Sequence, residues 1–264
     1  MNRRRPFRDP LSALLGQYGL FALLLLALLG GWECAVRLGW VPFFILPAPT
    51  AIAGALGRDA GTLLGRHLAA TASEAALGFL LSVAGGALLA ALMRQYRWLN
   101  KALYPFIVVS QTIPLIALSP VFILWFGYAV WSKVAVVFLT AFFPIVVGTY
   151  DGLGRGDAGY RELLLTMGAG RWAIFRKVQA PLALPSFFSA LKLSVVYSVV
   201  GATIGEWLGG TEGLGYFSRR MSGGLQTDAM FAAVFLLSAL GVAFFLAVAL
   251  LETILLRKRK KDYS

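Results

Sequence analysis

Long apolar runs separated by short polar connections make up most of the chain, and each run is close to the roughly 20 residues that a helix needs to cross a hydrocarbon core. Six can be laid end to end: about Tyr18 to Leu38, Leu68 to Met93, Leu103 to Phe126, Val130 to Gly148, Ser186 to Leu208 and Met230 to Leu256. The pattern predicts an all-α integral membrane protein of about six transmembrane helices. A basic segment, residues 1–17, precedes a single membrane domain over 18–256, and a basic tail occupies 257–264. The first run follows Arg3, Arg4, Arg5 and Arg8 as a signal peptide would, but it is long and no small-residue cleavage pattern follows it, so it is read as a retained helix.

The connection over about 150–185 breaks the pattern, being polar and basic yet punctuated by Leu163, Leu164, Met167, Trp172, Phe175 and Val178 at helical spacing. It predicts helix, turn, helix: Tyr160 to Met167, a break at Gly168, Ala169 and Gly170, then Arg171 to Gln179 ahead of Pro181. An apolar stripe on short helices outside the membrane is a docking surface. Pro105, Pro114 and Pro120 in the third run and Pro144 in the fourth remove helix hydrogen bonds, and such kinks either line a pathway or serve packing.

Composition agrees with lipid as the solvent: 59% of the 264 residues are hydrophobic, 14% are charged, and the mean hydropathy is +0.76. The net charge of +12 does not mark a nucleic-acid binder, because the basic residues sit at the ends of apolar runs. With both termini inside, the inner segments collect most of the 24 Lys and Arg. The outer segments hold Arg58, Arg66, Lys133, Arg219 and Arg220, and this asymmetry is that of a multi-pass protein with cytoplasmic termini. A single cysteine, Cys34, is read as helix packing, and the lone His67 as an interfacial residue that offers no metal site.

Charges inside the runs are candidates for function. Glu33 and Arg37, one turn apart, are expected to pair. Lys192 is expected to snorkel to the inner headgroups. Glu206 is placed at an outer mouth or partner contact, or as a solvated cap, and Glu74 toward the bundle interior. Ser110, Gln111 and Thr112 on the third run, with Tyr197, Ser198 and Thr203 on the fifth, are candidate pathway residues, although helix-to-helix hydrogen bonds explain them as well. No Ser/His pair, no HExxH and no paired carboxylates are visible within the runs, which weighs against an intramembrane enzyme.

From Phe44 onward the chain resembles the permease subunits of bacterial ABC importers. Their cytoplasmic signature, Glu-Ala-Ala, three residues, Gly, nine residues, then Ile-x-Leu-Pro, is matched by Glu162, Gly168 and Pro181; Leu163, Leu164, Val178 and Ala180 depart from it. Glu74-Ala75-Ala76 spells the opening but lacks the glycine and proline, and is given no coupling role. The stretches Gln111-Thr112-Ile113-Pro114, Phe122 to Gly127 and Phe142 to Val146 are similar to the nitrate, sulfonate and taurine group. Val200 to Gly209 with Gly213-Leu214-Gly215-Tyr216 is most similar to permeases for the pyrimidine precursor of thiamine.

The resemblance implies a non-catalytic subunit that binds no cofactor. ATP and Mg would be used by separate ABC ATPase subunits docked at Glu162, Gly168, Ala169, Arg171 and Pro181. It also implies an extracytoplasmic substrate-binding protein and a second permease copy, most simply as a homodimer. The implied substrate is a hydroxymethylpyrimidine-type thiamine precursor, with riboflavin, sulfonate or taurine, and nitrate as alternatives. A gradient-driven secondary transporter is the rival of a different class; it should show an inverted repeat or a chain of buried carboxylates.

Overall fold

The computed structural model describes residues 10–154 and 158–262, and every regular element among them is helical. The helices are α1 (Pro10–Arg37), α2 (Pro49–Arg58), α3 (Ala60–Gln95), α4 (Arg97–Ser110), α5 (Leu115–Phe126), α6 (Val130–Gly154), α7 (Ala158–Thr166), α8 (Arg171–Gly209), α9 (Leu214–Gly223) and α10 (Thr227–Asp262). Five of them, α1, α3, α6, α8 and α10, are each long and apolar enough to cross a membrane, and α4 with α5 make a sixth candidate bent by 103°.

α6 is the centre, packed between α3 and α8, and small residues set how closely it is approached. The inner face of α3 carries Thr71, Ala75, Gly78, Ser82, Gly86 and Ala90, one stripe at spacings of three and four. A side chain at Gly78 would overlap Val137, and one at Gly86 would press on Ile145. Ser82 Oγ donates to the Phe138 carbonyl of α6 at 2.9 Å. On the other side Gly148 and Gly152 of α6 meet Ala190 and Ser186 of α8, and Gly201 of α8 meets Thr140 and Val137. In lipid the drive for helix association comes from such close packing rather than from water exclusion.

These contacts fix directions. Ala75 packs with Val137 and Met93 with Val146, so α3 and α6 run parallel; Gly201 meets Val137 and Gly152 meets Ser186, so α8 runs antiparallel to both. α3 therefore ends and α6 begins at opposite ends of the bundle, and α4 with α5 must carry the chain across between them. The bent pair then counts as one broken span, and the candidate crossings among the described residues number six. The third span, expected from Leu103 to Phe126 with proline kinks, is thus two helices over Arg97–Ser110 and Leu115–Phe126 bent by 103°. Pro114 explains the break, since it disfavours helical backbone at Ile113 and starts α5 with ψ 116°. Pro105, Pro120 and Pro144 lie inside helices that continue through them.

The second helix of the expected helix–turn–helix differs from expectation as well. It does not stop before Pro181: Arg171 continues through Gly209 as one helix, with wide π-type turns over Phe175–Gln179. A proline cannot donate to the carbonyl four residues back and its ring crowds that carbonyl, which a widened turn relieves.

At the end where α3 starts, α2, α9 and the first turns of α10 form a cap around Ala55, Leu63, Leu214, Phe217 and Ala232. Pro49 opens α2, and Glu33 of α1 accepts from the Thr50 N–H and hydroxyl at 3.1 and 2.7 Å, satisfying donors that this helix start would otherwise leave free. Glu33 also takes Arg37 at 2.6 Å, so the expected pair is present and is tied to α2. Cys34 is exposed on α1 rather than packed.

Candidate functional site

The helix–turn–helix at the opposite end is built from α7 and the first turns of α8. α7 spans Ala158–Thr166, two residues ahead of the expected start, and the chain reverses at Gly168, whose φ is +82°. The Gly168 N–H reaches the Leu165 carbonyl and the Ala169 N–H that of Leu164, closing the helix end. A glycine is required here because an L side chain at this φ is strained. Leu163, Met167 and Trp172 are exposed, and Trp172 stacks on Phe175 with ring centres 5.3 Å apart. Glu162 and Arg171 line a cleft of about 970 Å³ with Arg94, Arg97 and Lys101 from the α3–α4 corner. Pro181 stands apart from that cleft, in the first turn after the widened segment.

A second cleft, of about 740 Å³, opens along α6 and α8. It is lined by Gln111, Thr140, Phe143, Ser189 and Tyr197 among others, and Asp151 is its one charged side chain among the described residues. Of the six candidate pathway residues it gathers Gln111 and Tyr197. Ser110 and Thr112 turn back to the carbonyls of Ile107 and Val109. Ser198 is fully buried and donates to Val195, while Thr203 donates to Val199 and borders an apolar groove with Ile116 and Trp207. These four make the local hydrogen bonds by which hydroxyls and helices coexist in lipid.

The charges depart furthest from expectation. Lys133, assigned to an outer segment, is buried as the fourth residue of α6, with its Nζ 3.0 Å from Glu74 Oε1 of α3. Glu206 is neither a solvated cap nor an exposed mouth residue: none of it is accessible in this chain. Its Oε2 accepts from the Gly215 N–H at 2.6 Å and the Tyr216 N–H at 3.4 Å, at the start of α9. Gly213, with φ +109°, wraps the same carboxyl, and a Cβ there would fall inside it. His67 is buried, its Nδ1 accepting from the Gly213 N–H at 3.1 Å, and Thr71 Oγ1 accepts from Leu214. In the connection after α8, Glu212 accepts from Arg66 at 2.6 Å, and the guanidinium holds that carboxyl below its ordinary value. Lys192 meets Glu252 of α10 at 2.8 Å instead of reaching for headgroups.

The sequence did hold a signal for this cluster: Glu74 and Glu206 both stand among Gly and Ala, where a carboxylate needs a partner. The missing step was that the partner, Lys133, lies three residues inside α6 and not before it.

Apolar helices enough for up to six crossings, with a glycine-hinged pair of helices at one end, define a multi-pass helical membrane protein of the transporter kind. The chain belongs to the family described as binding-protein-dependent transport system inner membrane component, which it matches over residues 82–259, and it is an ABC importer permease. It is 46% identical over 243 residues to the formylaminopyrimidine transport permease protein ThiX of Halalkalibacterium halodurans, covering 92% of this chain and 96% of that one. It is 36% identical over 234 residues to the riboflavin transport system permease protein RibX of Chloroflexus aurantiacus, covering 88% and 87%. The aliphatic sulfonates permease SsuC of Bacillus subtilis is 31% identical over 230 residues, covering 86% and 83%. Among solved structures, the inward-facing MetNI methionine ABC transporter shares the fold with a TM-score of 0.56 at 21% identity, over 76% of this chain and 95% of that one.

Proposed function

We propose that this permease passes a small thiamine pyrimidine precursor, of the formylaminopyrimidine or hydroxymethylpyrimidine type, into the cytoplasm. The observation that carries the reading is the 46% identity to a formylaminopyrimidine permease along almost the whole of both chains. The cleft along α6 and α8 supports it. Its amide, hydroxyl and phenol groups at Gln111, Thr140, Ser189 and Tyr197 suit the ring nitrogens and amine of an uncharged heterocycle, and Phe143 offers a face for stacking. A sulfonate or nitrate would instead call for a cation, and the one charge there is the carboxylate of Asp151.

In this reading a second copy closes the cleft on a twofold axis, giving a homodimer with one shared pathway. An extracytoplasmic binding protein delivers the pyrimidine, and two ATPase subunits, which bind the ATP and Mg, dock on Leu163, Met167 and Trp172. That end carries Arg94, Arg97, Lys101, Arg176 and Lys177, as the cytoplasmic side of a bacterial inner membrane protein should, so six crossings leave both termini there. Glu162, Ala169 and Arg171 make the polar contacts to the ATPase and Gly168 and Pro181 shape the lever. ATP binding then shifts a population between inward- and outward-facing states a few kcal/mol apart.

Reconstituted with its ATPase and binding protein in proteoliposomes, the permease should take up labelled formylaminopyrimidine in an ATP-dependent way and leave taurine and nitrate outside. Uptake of taurine or nitrate without the pyrimidine would overturn the substrate assignment.

A further inference from the structure

Positive charge gathers at the corner between α3 and α4. Arg94 stands in the last turn of α3, Arg97 and Lys101 are one turn apart at the start of α4, and Arg171 opens the first turn of α8. All four line the cleft of about 970 Å³, and Glu162 of α7 is its one carboxylate among the described residues. None of these five side chains is in an ion pair among the described residues. The cleft therefore carries an excess of cations that repel one another and would be relieved by an anion.

The surroundings say which anion. The corner lies at the end of a spanning helix, and Tyr96 and Trp98, both exposed on the cleft's wall, have the amphipathic rings that settle at headgroup depth. Past them the outward side of α4 turns apolar: Ala102, Pro105, Phe106 and Val109 follow Trp98 and Lys101 at spacings of three and four, and all are exposed. A cationic cleft continued by an apolar stripe fits a phosphate carried on acyl chains. A soluble anion would use the cations and leave the stripe bare. α7 also keeps the cleft apart from the surface assigned to the ATPase, since Glu162 and Leu165, three apart, line it, whereas the exposed Leu163 and Met167 project from nearly the opposite side.

We infer that this corner binds an anionic phospholipid of the cytoplasmic leaflet, its phosphate held by Arg94, Arg97 and Lys101 and its chains laid along Pro105, Phe106 and Val109. The two guanidinium groups donate as planar forks and the ammonium as a point charge. Such basic pockets between helices suit anionic headgroups. Arg171 faces the same phosphate from the far wall, so the headgroup lies between the bundle and the hinge at Gly168 and lets α4 and the start of α8 stand close despite their like charges. The leaflet follows from the basic end being the cytoplasmic one, and the site is indifferent to which solute is carried.

The test is native mass spectrometry of the full chain, purified in detergent, freed of lipid and titrated with phosphatidylglycerol or phosphatidylcholine. One tightly held phosphatidylglycerol per chain is expected, bound about tenfold or more tighter than phosphatidylcholine. That preference should fall at least about fivefold in Arg97→Gln/Lys101→Gln and persist in Arg259→Gln/Lys260→Gln, which removes the same charge from the basic tail. A large excess of inorganic phosphate should leave the lipid in place. The site is overturned by any of three results: no preference for phosphatidylglycerol, equal loss in both double variants, which means diffuse basic charge, or full displacement by phosphate, which means a soluble anion. Circular dichroism checks that each variant keeps its helices. If the α4 pair does not fold, Lys101→Gln alone, at an exposed position, is read against Lys260→Gln by the same criteria.

Discussion

A Cβ at Gly213 would stand where the Glu206 carboxyl group is, and the backbone there, at φ +109° and ψ 158°, is in a region that essentially only glycine occupies. Gly213→Ala is therefore expected to lower stability by about 1–3 kcal/mol from the backbone alone, with the displaced carboxyl adding to it. The thermal unfolding midpoint of the purified permease should fall, and Gly223→Ala, on α9 with open space around it, should leave it in place. Little of this was legible in the sequence. The run Gly209-Gly210-Thr211-Glu212-Gly213 follows the outer end of the fifth run, and Glu206 reads from there as an outer-mouth or partner-contact residue or a solvated cap, because position along the chain is all that the sequence offers. That the loop folds back over a carboxylate depends on α3 and α6 closing the space beneath it.

The hinge between α7 and α8 separates backbone from packing more cleanly. Nothing lies within 4 Å of a Cβ at either Gly168 or Gly170, but Gly168 has φ +82° whereas Gly170 has φ −66°. Gly168→Val should strain the turn by about 1–2 kcal/mol, leave membrane insertion intact and reduce ATP-driven uptake more than ATP hydrolysis. Gly170→Ala should behave as the native protein in the same paired assay, and equal loss in both variants would mean that the space and not the φ matters. At this scale the sequence was informative, since spacing located the helix, the turn and the glycine within about two residues. It misplaced the end of the second helix because a proline is a stop signal only where the preceding turns cannot widen, and Phe175–Gln179 widen. As a result the second helix of the helix–turn–helix and the fifth span are one continuous helix from Arg171 to Gly209.

The whole molecule turns on whether α4 and α5 cross the membrane or return to the side they left. Hydropathy shows a run of sufficient length but is blind to a 103° bend. The parallel packing of α3 and α6 settles it, as Gln95 and Val130 then lie at opposite ends. Exposed aromatic residues flank the pair, Trp98 at its start and Tyr128 just past its end, each 69% accessible. In a Cys34→Ser background, Tyr128→Cys should react with a membrane-impermeant thiol reagent added to intact spheroplasts, and Trp98→Cys only after permeabilisation. Reaction of both from one side would mean a re-entrant hairpin, an odd count of crossings and termini on opposite faces. The same outcome would part α7 from the basic corner at Arg94, Arg97 and Lys101, leaving Glu162 and Arg171 without the cleft they share with it. The labelling therefore tests the crossing count and the coupling surface together, because both rest on α3 and α6 pointing the same way.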